Sequence, residues 1–440
     1  MKFTIVILLY TLITIVRVAC LSHSEILKAA ILAKSKNCSV IVVVIGTRPE
    51  VIKLSPVIIE LKNRQNHFFT VVVSTGQHKE MFDPILKTFQ LSNSIDVSLD
   101  VMKENQDLVE LTASISRSMS SFLARLRPHV VLVQGDTTTS FASAVASFYL
   151  HIPIGHVEAG LRTWNRLSPF PEEFNRQAIS GMASIHFPAT EWASNNLILE
   201  KRPSANIFIV GNPVVDSLHM IASGKLGGKS PSLEQILLVI KQRGPSSGSR
   251  IVLLTAHRRE NLFGPIHNIM EAVFRLLLSH PDIVVLYPVH KNPNVRESIR
   301  LTMPEQVYKA ILEGKLQTKQ RYLHLNRLLL ISPLDYPDLV HVMIQSTIIL
   351  TDSGGLQEEG TSLGKPIFIL RSTTERPEAV FSRNALLIGT DTEAIFTNAS
   401  LALQGHGLFS TAKPSNIYGD GHAAKKIADV LQNRDWSMNL

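Results

Sequence analysis

The residues best equipped for chemistry in this chain stand where a short apolar run gives way to glycine. Val40–Ile45 runs into Gly46-Thr47-Arg48-Pro49-Glu50. Glycine permits a tight turn and proline suits a first helical turn, so Arg48 is placed at a helix start, where a fixed cation and backbone N–H groups together make an anion site. Lys53, one turn in, is within reach of the same place. A second such junction is Ile348–Leu350 followed by Thr351-Asp352-Ser353-Gly354-Gly355, with Leu356-Gln357-Glu358-Glu359 opening a helix. Gly354 and Gly355 let a diphosphate approach the backbone, Ser353 adds a hydroxyl donor, and the helix dipole favours negative charge. Glu359 would repel phosphate; it fits either an acceptor for ribose hydroxyls or an acid complementing the helix start.

Carboxylates mark two further junctions. Val130–Gln134 ends in Gly135-Asp136-Thr137-Thr138-Thr139, and Ile152–His156 ends in Val157-Glu158-Ala159-Gly160-Leu161-Arg162. Pro171-Glu172-Glu173-Phe174-Asn175-Arg176 follows. Asp136, Glu158 and Glu172 near one edge supply what acid/base work needs, because crowding and burial split carboxyl pKa values. Asp136 as a helix cap and Glu172 as a solvated first-turn acid are the plainer readings. His257-Arg258-Arg259-Glu260-Asn261 adds a cationic loop, and His290 closes Tyr287-Pro288-Val289-His290. No metal-ligand spacing is present, so no metal and no cofactor are expected.

These junctions require a particular scaffold. The apolar runs Val40–Ile45, Thr70–Ser74, Val130–Gln134, Ile152–His156 and Ile207–Val210 lack the alternation of half-exposed strands, and amphipathic segments (Glu50–Arg64, Leu108–Leu126, Ser140–Leu150) lie between them. A parallel sheet wrapped by helices follows. Ser223–Arg250 gathers Gly, Ser, Lys and Pro around one helix, Leu233–Ile240, as a junction would. A second series then gives Ile251–Leu254, Ile283–Tyr287, Leu328–Ile331, Ile348–Leu350 and Ile367–Leu370. The expected fold class is therefore α/β, two Rossmann-like domains with a cleft between them facing the strand C-termini. Gly224–Ser230 imitates a phosphate loop with its first glycine out of register and no strand ahead of it, and no G-x-G-x-x-G follows a strand.

The 440 residues are 45% hydrophobic and 18% charged, which excludes disorder and fibrous repeats. Cys20 and Cys38 both precede the first junction, so no disulfide framework holds the body. Of the net charge of +8, half comes from residues 1–47, where Lys2, Arg17, Lys28, Lys34 and Lys36 face Glu25 alone. The body is mildly basic without lysine/arginine runs, which fits an anionic small molecule and not nucleic acid. Phe3–Val16 is an apolar run cut short by Arg17, with small residues near Ala19, and reads as a targeting segment or an uncleaved apolar helix; any membrane association would come through it. Residues 1–38 are set outside the expected fold. Asn37-Cys38-Ser39 and Asn398-Ala399-Ser400 match the glycosylation pattern, which matters only in a secreted chain.

Taken in order, the junction segments resemble the UDP-N-acetylglucosamine 2-epimerase family over roughly residues 40–432. Gly76-Gln77-His78-Lys79-Glu80-Met81, Gly211-Asn212-Pro213, Thr373-Thr374-Glu375-Arg376-Pro377-Glu378 and Tyr418-Gly419-Asp420-Gly421 complete the pattern. The resemblance implies domains of the glycosyltransferase-B type at 39–215 and 216–415, with 416–440 returning to the first. It also implies a homodimer, a cytoplasmic location and polysaccharide biosynthesis, all without cofactor or required metal. Carried over, Asp136, Glu158 and Glu172 become the acid/base carboxylates and His257 assists departure of the diphosphate. Arg48, Lys53, Arg176, Ser353, Gly354, Gly355, Glu359 and Arg376 hold the UDP-sugar. Gln77 and His290 match a region where bacterial members bind an activating second substrate molecule, and Glu80 stands where some carry Gln. Trp164 and Leu339 replace residues that are often Gly and Phe in relatives.

The chemistry such an enzyme faces is that the C2 hydrogen of the sugar is not acidic. Breaking the C1–O bond first creates cationic character at C1 and acidifies C2–H, so a carboxylate can take the proton to leave a glycal; cations around the departing UDP stabilise that transition state. Asp136 and Glu172 are assigned to proton transfer at C2, with Glu158 as the third member. Alternatives are a hydrolysing epimerase releasing N-acetylmannosamine and UDP, disfavoured by the short chain after the second series, a glycosyltransferase on the same architecture, and a silent UDP-sugar sensor.

Overall fold

The computed structural model describes residues 22–76, 79–103, 106–243, 248–313, 320–407, 410 and 412–436. Two compact units emerge, the first running to Ser217 and resuming at Gly419, the second being Leu218–Tyr418.

Six parallel strands, β1 (Ser39–Ile45), β2 (Phe68–Ser74), β3 (Val97–Ser98), β4 (Val130–Gln134), β5 (Ile154–Ala159) and β6 (Ile185–Pro188), form the sheet of the first unit in the order β3-β2-β1-β4-β5-β6. Its central strands are buried along nearly their whole length, the result of valine- and isoleucine-rich runs covered on both faces by helices. One cover is the helix Leu108–Leu126. Asp107 caps its start by accepting from the Glu110 N–H at 2.8 Å, and Leu111, Ile115, Met119, Phe122 and Leu126 line its buried face at helical spacing. Each such side chain contributes about 1.5–3 kcal/mol on burial, so a charge at Ile115 would undo the packing of this helix.

The second unit repeats the plan with β7 (Arg250–Thr255), β8 (Ile283–Pro288), β9 (Leu328–Ile331), β10 (Ser346–Thr351), β11 (Ile367–Ile369) and β12 (Ala385–Leu387), ordered β12-β11-β10-β7-β8-β9. Counted from the first strand of each unit, both sheets wind as 3-2-1-4-5-6, the doubly wound order. The strand order reverses between β1 and β4 and between β7 and β10, and ligands of such sheets bind beyond the carboxyl ends at that reversal.

Three expectations need correction. Ile207–Val210 is not a strand of the sheet: it runs beside β6 with one bridge, Ile207 to His186, and backbone hydrogen bonds from Phe208 to His186 (2.9 Å) and from Val210 to Pro188 (3.1 Å), and β6 is the edge strand. The short strands β3, β6 and β12 carry too few apolar residues to be read from pattern. Residues 23–35, set outside the fold from sequence, form a helix begun by a capping box in which Ser22 and Glu25 bond reciprocally. That helix buries Ile26 and Ala30, one turn apart, in the core of the first unit, so this part of the extension is structural.

Candidate active site

In the first unit the loops at the reversal are joined by a buried acid. Glu50, fully buried, accepts from the N–H groups of Gly46 (2.9 Å) and Thr47 (2.6 Å) through Oε2, and from Thr137 Oγ1 (2.6 Å) and Ser140 Oγ (3.0 Å) through Oε1. The loop after β1 is thus fastened to the loop after β4, and burial pushes the Glu50 carboxyl up. A consequence is that the Gly46 and Thr47 N–H groups, read from sequence as part of an anion site, already have an acceptor. Gly46 is required there, because a Cβ would lie 2.0 Å from Thr139 Oγ1 and 2.5 Å from Thr75 Oγ1.

Around this junction the carboxylates fall into different settings. Asp136 Oδ2 accepts from Arg176 Nε at 2.9 Å and Nη2 at 2.6 Å, while Asn175 holds the Asp136 carbonyl at 2.8 Å. Glu158 lies inside β5 and not after it, in the left-handed backbone region (φ 60°), at a register irregularity between Val157 and Ala159. Its carboxylate is buried and receives Lys53 Nζ at 2.6 and 2.7 Å, Asn212 Nδ2 at 2.8 Å and Gln134 Nε2. Lys53 therefore ends on Glu158. Glu172 opens the helix Glu172–Met182, one turn from Arg176; its Oε2 is enclosed with no hydrogen-bond partner among the described residues. The neighbouring Glu173 is fully buried and structural, accepting from the Thr163 and Trp164 N–H groups at 3.0 Å each. His156 hydrogen-bonds the Gly135 carbonyl at 2.7 Å, and burial drives its pKa down to about 4, so it holds the turn as a neutral donor.

In the second unit the corresponding acid is Asp352, fully buried at the end of β10. Its Oδ2 accepts from the N–H groups of His257 and Arg258, both at 2.8 Å, and from Asn261 Nδ2 at 3.0 Å. His257 Nδ1 lies 3.5 Å from Oδ1 of the same acid, and the imidazole stacks on His290 with centroids 5.5 Å apart and planes 13° apart. Ser353 is the N-cap of the helix Gly354–Ser362, and its side chain makes no cap bond, so the first-turn N–H groups are not consumed by it. Gly355 is open outward, the nearest atom to a Cβ there being Glu359 Oε2 at 3.7 Å. Uncapped N–H groups, a hydroxyl and an open glycine together are the chemistry that can hold an anion.

Glu359, one turn in, accepts from Tyr336 OH at 2.7 Å. Arg376 lies against Gly354: a Cβ at that glycine would be 2.5 Å from Nη1. Its guanidinium meets Glu375 at 2.5 Å and also Glu358, so it builds the turn under the glycines with its charge already matched. Arg48 is the first residue of the helix Arg48–Asn63, and Gln77 lies outside the described residues. Sequence reasoning gave no role to Gln134, Asn212 or Glu50, naming Glu50 and Asn212 only as members of motifs. Only Glu50 had a local signal, the Thr-x-x-Glu spacing of a capping box. Among the described residues no cluster of three metal-ligating side chains occurs, and no helix is long and apolar enough to cross a membrane.

Paired doubly wound sheets, each with charged groups at its strand-order reversal, define a tandem Rossmann-like architecture of the glycosyltransferase-B class. The family model for UDP-N-acetylglucosamine 2-epimerase matches residues 60–432, and the chain belongs to that family, whose members are isomerases. It is 40% identical over 398 residues to the UDP-N-acetylglucosamine 2-epimerase of Neisseria meningitidis, covering 90% of this chain and 100% of the relative. To the Campylobacter jejuni enzyme of the same name it is 39% identical over 392 residues, covering 89% and 97%. Among solved structures it resembles the Neisseria meningitidis enzyme bound to UDP-GlcNAc, with a TM-score of 0.77 and 39% identity over 90% of this chain and all of that one. The Methanocaldococcus jannaschii enzyme in complex with UDP-GlcNAc and UDP gives 0.72 at 28% identity, again over 90% and 100%.

Proposed function

We propose that this chain interconverts UDP-N-acetylglucosamine and UDP-N-acetylmannosamine by eliminating UDP to a 2-acetamidoglucal and adding it back. The observation carrying this reading is the division of labour between the two reversals. In the second unit the uncapped helix start at Ser353, Gly354 and Gly355 receives the diphosphate, Glu359 the ribose hydroxyls, and His257 assists departure of the diphosphate. In the first unit three carboxylates sit in unequal surroundings, one paired with an arginine, one with an enclosed oxygen lacking a partner among the described residues and one met by a lysine and two amides. Asp136, paired with Arg176, is the base in one direction; Glu172, with an oxygen lacking a partner, carries the proton in the other; Glu158 remains an anion beside them. Arg48 supplies a further cation at its helix start, and Arg376 supports the diphosphate from beneath Gly354.

The match over nearly the whole of the epimerase relatives favours this reading over a glycosyltransferase or a silent sensor, and the intact carboxylate set favours turnover. We assign a homodimeric, cytoplasmic form on the family's pattern, with Gln77 and His290 as its regulatory pair. Product analysis by phosphorus and proton NMR after incubation with UDP-N-acetylglucosamine tests the activity. A UDP-linked manno product is expected, and free N-acetylmannosamine with UDP would replace this reading by the hydrolysing one.

A further inference from the structure

Glu158 is an unusual place to put a carboxylate. The backbone is left-handed there, a conformation that a non-glycine side chain occupies at a cost of about 1–3 kcal/mol unless its surroundings over-determine it. Those surroundings include, among the described residues, three donors from three separate elements. Lys53 arrives from the helix Arg48–Asn63, Gln134 from the last position of β4, and Asn212 from the loop ahead of the helix Pro213–Ala222. The amide of Asn212 is not free to turn over, because its Oδ1 accepts the Val214 N–H at 3.1 Å, which leaves Nδ2 facing the carboxylate at 2.8 Å. Gln134 sits opposite Val157 in the parallel ladder, so its side chain crosses directly to β5. Gly135 completes the enclosure: its φ of 69° suits glycine, and a Cβ there would come within 3.2 Å of Glu158 Oε2.

We propose that Gln134 and Asn212 are positioning residues that lock Glu158 as a permanent anion facing the reacting sugar, so that it balances positive charge at C1 and carries no proton. This rests on the epimerase reading above. Lys53 alone would match the charge; the two amides fix which way each oxygen points and withhold the lone pairs a proton would need. Among the described residues His156, on its own strand, also lies near Glu158 and is kept neutral by burial, while Lys53 meets the carboxylate as a cation at 2.6 Å.

Gln134→Met and Asn212→Leu each remove one donor at similar volume. The test follows the Glu158 carboxylate itself by carbon NMR in the full chain labelled at glutamate Cδ, with Glu158→Gln giving the assignment, alongside turnover of UDP-N-acetylglucosamine. In either variant Glu158 should titrate about one pH unit higher than in the unaltered chain, the effect of losing one hydrogen bond to a charged group, and turnover should fall at least tenfold. Asn212 also braces Val214, so should Asn212→Leu fail to fold, Gln134→Met decides alone. An unmoved Glu158 titration in the folded variants would overturn the proposal. Failure of the epimerase reading shows separately, as absence of product from the unaltered chain.

Discussion

The fully buried Asp352 accepts the backbone N–H of His257 at 2.8 Å, across the strand-order reversal of the second unit. The same oxygen holds Arg258 N–H at 2.8 Å, so a single carboxylate sets the loop that presents the imidazole. Asp352→Ala removes the acceptor shared by the His257 and Arg258 N–H groups and Asn261 Nδ2, at about 1–3 kcal/mol for each donor left enclosed and unsatisfied. We expect it to lower both UDP affinity and turnover. Asp352→Asn, which keeps an acceptor oxygen, should retain most of the UDP affinity. Calorimetric titration with UDP on the two variants checks this ordering.

Neighbouring glycines should behave in opposite ways. At Gly354 an added methyl meets the Arg376 guanidinium at 2.5 Å and forces the turn to shift, so Gly354→Ala should destabilise. At Gly355 nothing stands closer than 3.7 Å, and replacing a helical glycine by alanine gains about 0.5–1 kcal/mol. Gly355→Ala should therefore keep or raise the thermal midpoint while weakening UDP binding tenfold or more, because the methyl occupies the space the diphosphate needs. Thermal unfolding and UDP titration, measured together, separate the two effects.

Why the junctions were readable while their supports were not follows from the kind of signal each leaves. Strands β1 and β4 are apolar runs followed directly by glycine and β10 is one followed by Asp352-Ser353-Gly354, and the charged residues after them stand out by position. Gln134 and Asn212 carry no charge, and their meaning lies in a partner, Glu158, that is distant in sequence and brought close only by the sheet. Lys53 and Arg376 were legible as cations but not in their pairing, since Glu158 and Glu358 reach them through tertiary packing. Ile207–Val210 shows the converse: its apolar run resembles a strand, yet it meets β6 only through one bridge at Ile207 and the backbone hydrogen bonds of Phe208 and Val210, and is not a strand of the sheet.

Asp216 gives the chain a pH-dependent clasp. Both its oxygens accept from the start of the helix Ala423–Gln432, at 3.1 Å from Ala423 N–H and 2.9 Å from Ala424 N–H, and burial still pushes its pKa from 3.8 up to about 6. A raised carboxyl stabilises the folded chain fully below its unfolded value and loses that contribution as pH rises through the folded one. The shift corresponds to about 3 kcal/mol, lost between about pH 4 and pH 6. Asp216→Asn, neutral throughout, should lack this slope, which urea unfolding of both chains at about pH 4 and about pH 7 will reveal.

Elimination and re-addition of UDP require proton exchange with solvent at one carbon, C2 of the sugar. Turnover of UDP-N-acetylglucosamine in heavy water, followed by proton NMR, should give UDP-N-acetylmannosamine carrying deuterium at C2, with label later appearing in recovered substrate. A UDP-linked manno product that keeps its original hydrogen at C2, or no epimer at all, would contradict elimination and re-addition through the carboxylates of the first unit.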